Sequence, residues 1–513
     1  MTPTDRSDTV LDAIWRHAQQ RPDHPAIREP GRSLTYKGLW EAAIAVADYL
    51  QVHGVEVGDR VALAAGNSVE FVVGAVGTMI AGATFVPLAE ADPPARLATV
   101  VGDARPVVVL TGNEFDASAS QAEAWGIPIV PIGATAEAAV ERQAPPHGGR
   151  RAPAYIIYTS GTTGTPKGVT IGVEAFARAV RAAARAADVQ ADNRSLCVSP
   201  FHFDGSYSCL WPALSAGGTA VLRRRDALIY PRTFIRAVLD EGITHSSFTP
   251  SYLRILLTDR RLSNLAGSTL RVIALGGEQV VPDDIITLRR AVLEVRVVNR
   301  YGPTECTIAV SHEELTPELV ATGVIPIGRP HPEVGFHLLD DDGLEILGPG
   351  RSGELWVSGA QLMDGYWNAP DLTAGVMRRD VIPGVLAYRT GDLAYRDDEG
   401  RYVCTGRTDS VVKRRGMRIS LAELTAAVRS APGVTGAAAV PFDDDGQLGI
   451  VAFVSGTVDM QSVRSRVRLR VPDTMMPDRF IAVDPLPATG SGKVDDKALL
   501  SAHRLAPPGS KPG

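Results

Sequence analysis

The hydrophobic positions of the N-terminal part of the chain follow two alternating periods. Leu11, Ile14 and Trp15 fall on one face of a helix predicted over Leu11–Gln20, because apolar residues three or four positions apart share a helical face. A second helix is predicted over Trp40–Leu50. Short β-type runs, typical of strands, lie at residues 33–36, 61–64 and 85–87. Alternating helices and strands predict a layered α/β architecture.

One apolar stretch, Phe71–Ala89, carries no charge. Its length is close to the ~20 residues that a helix needs to span a bilayer. Gly74, Gly77 and Gly82 make it only weakly hydrophobic, and Pro87 breaks it. We therefore predict a buried helix followed by a strand, and no membrane as a partner.

Further along, strands are predicted over Leu196–Ser199, Thr219–Leu222, Val272–Leu275 and Val295–Asn299. Helical stretches between them indicate doubly wound sheets, in which ligands bind at the carboxyl ends of the strands. From Gly353 the β-like runs become shorter, and a glycine- and charge-rich segment follows at residues 406–416. A chain of 513 residues is too long for one core. We predict a large N-terminal domain of α/β subdomains, residues 1–408, and a small, mobile C-terminal α/β domain, residues 409–513.

Composition narrows the functional classes. Lysine and arginine number 52 against 58 acidic residues, a net charge of −6 with no basic block, so nucleic acid is not expected as a partner. The four cysteines show no metal-ligand spacing and suggest a reducing compartment. The N-terminus lacks the basic region and apolar core of a secretion signal. We therefore expect a cytoplasmic protein.

In the stretch Tyr155–Val169, an apolar strand stops abruptly at a loop of hydroxyls and glycines. Glycine lets the backbone approach a ligand closely, hydroxyls can bond phosphate oxygens, and lysine adds a charge on a flexible stem. The spacing differs from that of a Walker P-loop. We predict a polyphosphate cradle rather than an ordinary polar loop. Its candidate residues are Thr159, Ser160, Gly161, Thr162, Thr163 and Lys167.

This loop and four later motifs resemble the signature sequences of the adenylate-forming superfamily, which contains acyl-CoA synthetases, luciferases and the adenylation enzymes of nonribosomal peptide synthesis. The later motifs are NRYGPTE at 299–305, TGD at 390–392, GRTD at 406–409 and GSGK at 490–493. The resemblance runs nearly the whole length of the chain. It implies that ATP, with Mg²⁺, activates a carboxylic acid as its adenylate.

The resemblance also assigns a role to each motif. Tyr301 is implied to lie against the adenine, Thr304 to touch the α-phosphate, and Glu305 to help hold Mg²⁺. Asp392 is implied to accept hydrogen bonds from the ribose hydroxyls, and Arg407 to contact ribose or phosphate.

The last two motifs are implied to serve movement and catalysis. Asp409 is the implied hinge about which the small domain swings. Lys493 lies at a glycine-flanked tip and is the implied catalytic lysine, because a cation there can stabilise the charge of the transition state.

The stretch Ser199–Trp211, SPFHFDGSYSCLW, resembles the segment in which amino-acid adenylation enzymes pair an aspartate with the substrate's ammonium group. Asp204 occupies that position, and activators of fatty or aryl acids typically lack it. Alignment on the motifs predicts further pocket residues at Gly205, Ser208, Ser247, Ile273, Leu275, Arg300, Ile308 and Ala309.

Arg300 is unusual, because family members often carry a smaller or uncharged residue at that position. It either binds a second carboxylate of the substrate bidentately or turns outward to solvent or a neighbouring acid. The sequence His202–Ser206 is also similar to that of stand-alone enzymes that activate β-amino acids for polyketide macrolactams. The predicted substrate is an amino acid, α or β, with a polar or acidic side chain, such as a 3-methylaspartate-like compound.

The acceptor is expected to be a separate molecule, because the chain ends at Gly513, soon after Lys493. The resemblance implies the phosphopantetheine thiol of a carrier protein in trans. The basic run Lys413–Arg415 either meets the acidic carrier or forms a solvated turn. An acyl-CoA ligase is the alternative enzyme, and Asp204 argues against it. A nucleotide-binding protein that has lost catalysis is the alternative from another class.

Overall fold

A computed structural model of the chain describes residues 8–89, 91–112, 125–138, 152–159, 165–408, 411–414, 417–444, 447–487 and 494–508. The chain forms two compact units. Unit 1 comprises Met1–Glu90, Asp103–Ile157 and Gly168–Thr408, and unit 2 comprises Ala91–Gly102, Tyr158–Lys167 and Asp409–Gly513.

Strands alternate with helices along most of unit 1, and further strands follow in unit 2. The strands are β1 Pro25–Glu29, β2 Arg32–Thr35, β3 Arg60–Ala64, β4 Thr84–Pro87, β5 Val108–Thr111, β6 Ile129–Pro131, β7 Pro153–Thr159, β8 Lys167–Gly172, β9 Arg194–Cys197, β10 Thr219–Leu222, β11 His245–Phe248, β12 Val272–Gly276, β13 Arg296–Tyr301, β14 Ser311–Glu314, β15 Arg329–Pro330, β16 Val334–Leu339, β17 Ser352–Gly359, β18 Gly365–Tyr366, β19 Met377–Ile382, β20 Val385–Arg396, β21 Tyr402–Arg407, β22 Val411–Arg414, β23 Met417–Ser420, β24 Val434–Asp444, β25 Gln447–Gly456 and β26 Arg479–Ala482.

The described helices are α1 Val10–Gln20, α2 Tyr36–Val52, α3 Val69–Ile80, α4 Pro94–Ala104, α5 Val173–Ala186, α6 Tyr207–Ala216, α7 Arg225–Leu228, α8 Pro231–Glu241, α9 Pro250–Leu257, α10 Pro282–Ala291, α11 Pro317–Ala321, α12 Pro370–Val376, α13 Leu421–Arg429, α14 Met460–Arg468 and α15 Asp496–Ala502. Short 3₁₀ helices lie at Ile132–Ala138, Asp204–Ser206, Arg260–Leu265, Thr304–Cys306 and Asp473–Met475.

Two large sheets dominate unit 1. One runs in the order β15-β14-β13-β12-β11-β9-β10-β1-β2, and the other in the order β18-β8-β7-β4-β3-β5-β6. The pairs from β13 through β12, β11 and β9 to β10 are parallel, as a doubly wound sheet requires. A third sheet, β16-β17-β20-β19 with β21 beside β20, contributes to the same core.

The core of unit 1 is rich in aromatic rings. Tyr155 of β7 packs edge-on against Tyr207 and Phe176, and Trp211 meets Tyr207 in the same way. All four side chains are buried. Burial of such rings supplies much of the hydrophobic free energy of a core.

In unit 2, the strands β24-β25-β26 carry a hydrophobic cluster on each face. Ala437 and Ala439 contact one cluster, whereas Ala438 and Val440 contact the other. This alternation follows from the two-residue period of a strand. Apolar residues on both faces make this a buried sheet.

The mixed α/β fold with a large N-terminal and a small C-terminal part is confirmed. The stretch Phe71–Ala89 forms helix α3 and strand β4, as predicted. Among the described residues, no helix combines the length and the apolar character that crossing a membrane requires.

Helices α2 and α3 pack closely because α3 carries a glycine at the contact. A Cβ atom added at Gly77 would lie 2.6 Å from Val46 Cβ and 2.7 Å from the carbonyl oxygen of Ala43. Backbone would therefore have to shift to admit even a methyl group. Gly102, in α4, has open space at the corresponding position.

We expect Gly77→Ala to lower the thermal melting temperature, because overpacking costs about 1–3 kcal/mol. Gly102→Ala is the matched control, and it should leave the melting temperature unchanged or raise it, since alanine favours helix by about 1 kcal/mol. Circular dichroism of both variants makes the comparison. Equal effects of the two substitutions would contradict the packing account.

Candidate active site

Four neighbouring parallel strands carry one row of side chains on the same face of the large sheet. Ser247 of β11 is in register with Cys197 of β9 and with Ala274 of β12, and Ala274 is in register with Val298 of β13. Residues in register on parallel strands point to the same face. Arg300, two positions after Val298, shares this face and completes the row.

The same register shows the orientation of two further residues that were predicted to line the pocket. Ile273 and Leu275 flank Ala274 and therefore point to the opposite face of the sheet. There they join the cluster that contains Phe248 and Val297. Within β12, the side chain that shares the face of Arg300 is that of Ala274.

The predicted ammonium-binding residue, Asp204, opens the 3₁₀ turn before α6. The side chain of Asn67 holds the chain just before this turn. Its Nδ2 donates to the carbonyl of Ser199 at 3.0 Å, and its Oδ1 accepts from the N–H of Phe201 at 2.9 Å. Asn67 was not identified from the sequence, because one polar residue after a strand is indistinguishable from any turn residue.

Burial dominates the electrostatics of Asp204. Burial raises the pKa of the carboxyl group, hydrogen bonding from Thr304 and from the backbone of Ile308 and Gly205 opposes the rise, and the nearby charge of Glu305 adds to it; the net result is a pKa of about 6 instead of the ordinary 3.8. Oδ2 is out of contact with solvent and has no hydrogen-bond partner. A buried carboxylate oxygen in this condition favours a cationic partner.

The rings of Tyr155 and Tyr207 are the apolar groups that make this environment costly for charge. Their centroids lie 5.2 Å apart. Burial raises the pKa of both phenols well above the ordinary value, and the charge of Asp204 adds to the shift.

Arg300 lies inside the molecule rather than turning to solvent: only 9% of it is exposed. Its Nη2 donates to Ser247 Oγ at 2.5 Å, and Ser247 Oγ lies 3.3 Å from Ser208 Oγ. Ser208 Oγ donates in turn to the carbonyl of Gly205 at 2.6 Å. The predicted residues Gly205, Ser208, Ser247 and Arg300 therefore form one hydrogen-bonded chain beside Asp204.

Burial lowers the pKa of the Arg300 guanidinium to about 10, and the nearby Cys209 and Asp204 oppose that shift. Nε of Arg300 is buried and has no hydrogen-bond partner. Gly276 makes room for the side chain, because a Cβ there would lie 3.5 Å from Nε and 3.3 Å from Cβ of Arg300.

The residues implied to bind the nucleoside meet at a second carboxylate. Tyr301 donates its hydroxyl to Asp392 Oδ2 at 2.6 Å, and Arg407 donates to Asp392 Oδ1 and, at 3.1 Å, to the carbonyl of Thr390. The hydroxyl of Thr390 accepts from the N–H of Asp392 at 2.9 Å. The predicted Tyr301, Asp392 and Arg407 are thus assembled into one cluster.

The predicted metal ligand Glu305 is fully buried, and its Oε1 accepts a hydrogen bond of 2.8 Å from the hydroxyl of Tyr366. Within the described residues, no group of three His, Cys, Asp or Glu side chains could hold a metal by itself. A single carboxylate suits Mg²⁺, which usually keeps waters and reaches a protein together with phosphate oxygens. Tyr366 was not found from the sequence.

Thr304 precedes Glu305, and Ile308 and Ala309 follow in the same segment. Ile308 and Ala309 are buried, and Thr304 and the Ile308 backbone are two of the three groups that oppose the rise in the pKa of Asp204. One short stretch of chain therefore serves both carboxylates, Asp204 and Glu305.

The phosphate-loop residues are described only at their edges. Thr159 ends β7 and Lys167 begins β8, two neighbouring strands of one sheet, and Thr159 Oγ1 is buried without a hydrogen-bond partner. Other predicted residues lie outside the described part of the chain: Ser160, Gly161, Thr162, Thr163, Asp409 and Lys493.

The predicted basic surface on unit 2 needs a correction. Arg414 is buried rather than exposed: it donates to the carbonyl of Met476 at 2.9 Å and pairs with Asp478. Its role is to join strand β22 to the turn before β26, so it is not available to a carrier protein.

Comparison with known proteins places this geometry in a family. The chain matches AMP-binding enzyme over residues 14–367 and AMP-binding enzyme C-terminal domain over residues 423–493. It is 32% identical to surfactin synthase subunit 2 of Bacillus subtilis (strain 168), over 97% of this chain and 14% of that protein.

A second relative matches over most of its own length. Novobiocin biosynthesis protein H of Streptomyces niveus is 33% identical, over 98% of this chain and 86% of that protein. Among solved structures, holo-PA1221, an NRPS protein containing adenylation and PCP domains bound to a vinylsulfonamide inhibitor, superposes with a TM-score of 0.85. It is 27% identical, and the match covers 96% of this chain and 84% of that one.

The raised pKa of Asp204 predicts how stability depends on pH. Because the folded state holds the proton more tightly than the unfolded state between pH 3.8 and about 6, stability falls as pH rises through this window. The shift corresponds to at most about 3 kcal/mol at neutral pH. We expect Asp204→Asn to be more stable than the unmodified protein at pH 8, with a smaller difference at pH 4. Thermal melts across this range test it, and a difference independent of pH would contradict it.

Proposed function

Because the chain belongs to the AMP-binding enzymes, as an adenylate-forming ligase of the nonribosomal peptide synthetase type, we propose that it adenylates an amino acid with an acidic side chain and passes the aminoacyl group to a carrier-protein thiol. The observation that carries the substrate part is that Asp204 and Arg300, which lie beside one hydrogen-bonded chain, each have a buried polar atom that lacks a partner.

Asp204 supports an aminated substrate. Its buried Oδ2 has no hydrogen-bond partner, and an ammonium group placed there would compensate the cost of burying the charge. An acid without an amino group would leave the carboxylate uncompensated. This argues for an amino acid over a fatty or aryl acid.

Arg300 supports a second carboxylate on the substrate. A buried guanidinium is costly unless it is paired, and within the described part of the chain that of Arg300 donates to the neutral hydroxyl of Ser247. The planar fork of arginine matches a carboxylate with two parallel hydrogen bonds. Ser208 and Ser247 extend the polar surface beside it. A 3-methylaspartate-like compound, and the β-amino acid form suggested by His202–Ser206, satisfy both charges.

ATP is the proposed nucleotide substrate, since the family binds AMP. Tyr301 and Asp392 would receive adenine and ribose, with Arg407 holding the Asp392 carboxylate in place. Glu305 would help hold Mg²⁺, which when bound neutralises charge on the phosphates.

In the proposed first step, a carboxylate oxygen of the amino acid attacks the α-phosphorus of ATP. The bond from that phosphorus to pyrophosphate breaks, leaving an aminoacyl adenylate. In the second step, the thiol of a phosphopantetheine arm attacks the acyl carbon and AMP leaves. Asp204 and Arg300 would fix the two ends of the substrate. The reacting carboxylate would thereby be held in line with the α-phosphorus.

A carrier protein is the proposed acceptor because similar proteins include one that contains adenylation and PCP domains. We propose that the carrier acts in trans, and that the C-terminal unit swings about Asp409 between the two steps. Transfer assays with CoA and with a carrier protein that bears a free phosphopantetheine thiol distinguish this acceptor from that of the alternative acyl-CoA ligase.

We expect ATP–pyrophosphate exchange with α- and β-amino acids that carry a second carboxylate, and little exchange with neutral amino, fatty or aryl acids. In Arg300→Met, kcat/KM for the acidic substrate should fall about 100-fold, because a buried charge pair loses one partner. Arg296→Met is the control on the same strand, since Arg296 forms an exposed pair with Glu314. Turnover confined to fatty or aryl acids would refute the proposal.

We expect Lys493→Ala to nearly abolish adenylate formation with a modest effect on ATP binding, because the lysine is proposed to stabilise charge that develops only in the transition state. Pyrophosphate exchange and calorimetric titration with ATP measure the two quantities. Lys497→Ala, on helix α15, is the control, because it removes the same positive charge at another position. Full exchange activity in Lys493→Ala would exclude this role.

A further inference from the structure

One segment of unit 1, Gln361–Tyr366, runs beside the stretch Thr304–Ala309 and holds it at several points. We call it the brace segment. It follows strand β17 and includes strand β18. None of its residues was singled out by sequence motifs or belongs to the proposed binding residues, yet it hydrogen-bonds to the backbone carbonyls of Glu305, Thr307 and Ala309.

Gln361 is the first contact. Its Nε2 donates to the carbonyl of Ala309 at 2.8 Å and more weakly to that of Thr307 at 3.4 Å. Thr307 returns a hydrogen bond from Oγ1 to the carbonyl of Gln361 at 2.7 Å. The amide orientation follows from these partners, because carbonyl oxygens can only accept. Oε1 of Gln361 is therefore the acceptor, and it lies 2.9 Å from His331 Nδ1.

The turn that Gln361 holds is conformationally costly. Thr307 and Ile308 have φ angles of 58° and 68°, in the left-handed region. Both are β-branched, and this region is strongly disfavoured for such residues. A strained backbone of this kind persists only where surrounding contacts over-determine it. Gln361 is buried, with 3% of its surface exposed, and it supplies those contacts.

The same brace segment reaches Glu305 twice. The N–H of Met363 donates to the carbonyl of Glu305 at 2.8 Å, and the hydroxyl of Tyr366 donates to its Oε1 at 2.8 Å. Tyr366 is itself fixed, because its N–H donates to Thr373 Oγ1 at 2.9 Å. The carboxylate proposed to hold the metal is therefore oriented from the same strip of chain.

We propose that Gln361 and Tyr366 are separable positioning residues: Gln361 orients the strained turn that faces Asp204, and Tyr366 orients Glu305. This inference rests on the proposed function, because it takes Asp204 to bind the ammonium group and Glu305 to hold Mg²⁺. It assigns one brace segment to both substrate sites, with a different side chain acting on each.

Several groups face Asp204 and set its titration. Beyond burial itself, they are the side chain of Thr304, the charge of Glu305, and the backbone of Ile308 and Gly205; Tyr155, Tyr207 and Arg300 also lie close enough for the charge of Asp204 to affect their own pKa values. The Ile308 backbone favours the ionised carboxylate. When the turn relaxes, the pKa of Asp204 should therefore rise, and the form that binds an ammonium group should appear only at higher pH.

Gln361→Met keeps the length of the side chain and removes the amide. We expect KM for the amino acid to rise about tenfold, since two hydrogen bonds to the turn are lost, with little change in KM for ATP. The acid limb of kcat/KM for the amino acid should move to higher pH, because that limb reports the free enzyme. Thr307→Val, which removes only the hydroxyl bond to Gln361, should act in the same direction more weakly and serves if Gln361→Met does not fold.

Tyr366→Phe removes one hydroxyl. We expect the affinity for ATP in the presence of Mg²⁺ to fall about fivefold, because a hydrogen bond to a charged group is lost, while ATP affinity without Mg²⁺ and KM for the amino acid stay unchanged. Calorimetric titration with ATP, with and without Mg²⁺, gives this result without turnover.

Ser311→Ala is the matched control. Ser311 is fully buried next to the turn, and its hydroxyl donates to the carbonyl of Ile327 at 2.6 Å. It should lower thermal stability without separating the two KM values. The inference is overturned if Gln361→Met and Tyr366→Phe lower stability but change both substrates alike, or neither. A protein that binds ATP with Mg²⁺ but activates no amino acid would refute the proposed function alone, and the Tyr366 titration would still decide whether the brace orients Glu305.

Discussion

Two groups of opposite charge lie near each other: the buried Arg300 and the Asp204 carboxylate, whose Oδ2 is buried. Within the described residues, no ion pair joins Asp204 to Arg300, and each keeps a buried polar atom without a hydrogen-bond partner. Burying an unpaired charge costs several kcal/mol, and the shifted pKa values of both groups express that cost. A substrate that carries complementary charges would offset this unfavourable free energy when it binds.

The cost is tolerated because the surrounding structure is stiff. Tyr155, Tyr207 and Trp211 are buried and pack edge-to-face, and the charge of Asp204 acts on both tyrosines. On the other side, β12 and β13 hold Arg300 against Gly276. The left-handed turn at Thr307 and Ile308 adds local strain, and strain of this kind is concentrated at functional sites. Rigidity, buried charge and backbone strain thus occur together at one end of one sheet.

Much of the fold follows from local patterns. The helix and strand within Phe71–Ala89, and the strands at Thr219–Leu222 and near Val272, are found where hydrophobic periodicity predicts them, because each element buries a face whose period is fixed by backbone geometry. The clustering of Tyr301, Asp392 and Arg407 was implied by motif resemblance. Asn67, Gln361 and Tyr366 were missed, since a polar residue that contacts backbone far along the chain leaves no local pattern.

What the sequence by itself determined is the family, the order of helices and strands, and the chemical types of the site residues. Those depend on side-chain identity and on spacing along the chain. Only the tertiary structure decided which side chains face the pocket: strand register turned Ile273 and Leu275 into the core, brought Arg300 to Ser247 and buried Arg414. The reason is physical, since a strand alternates its side chains between two environments and sequence does not state which face a neighbouring helix will cover.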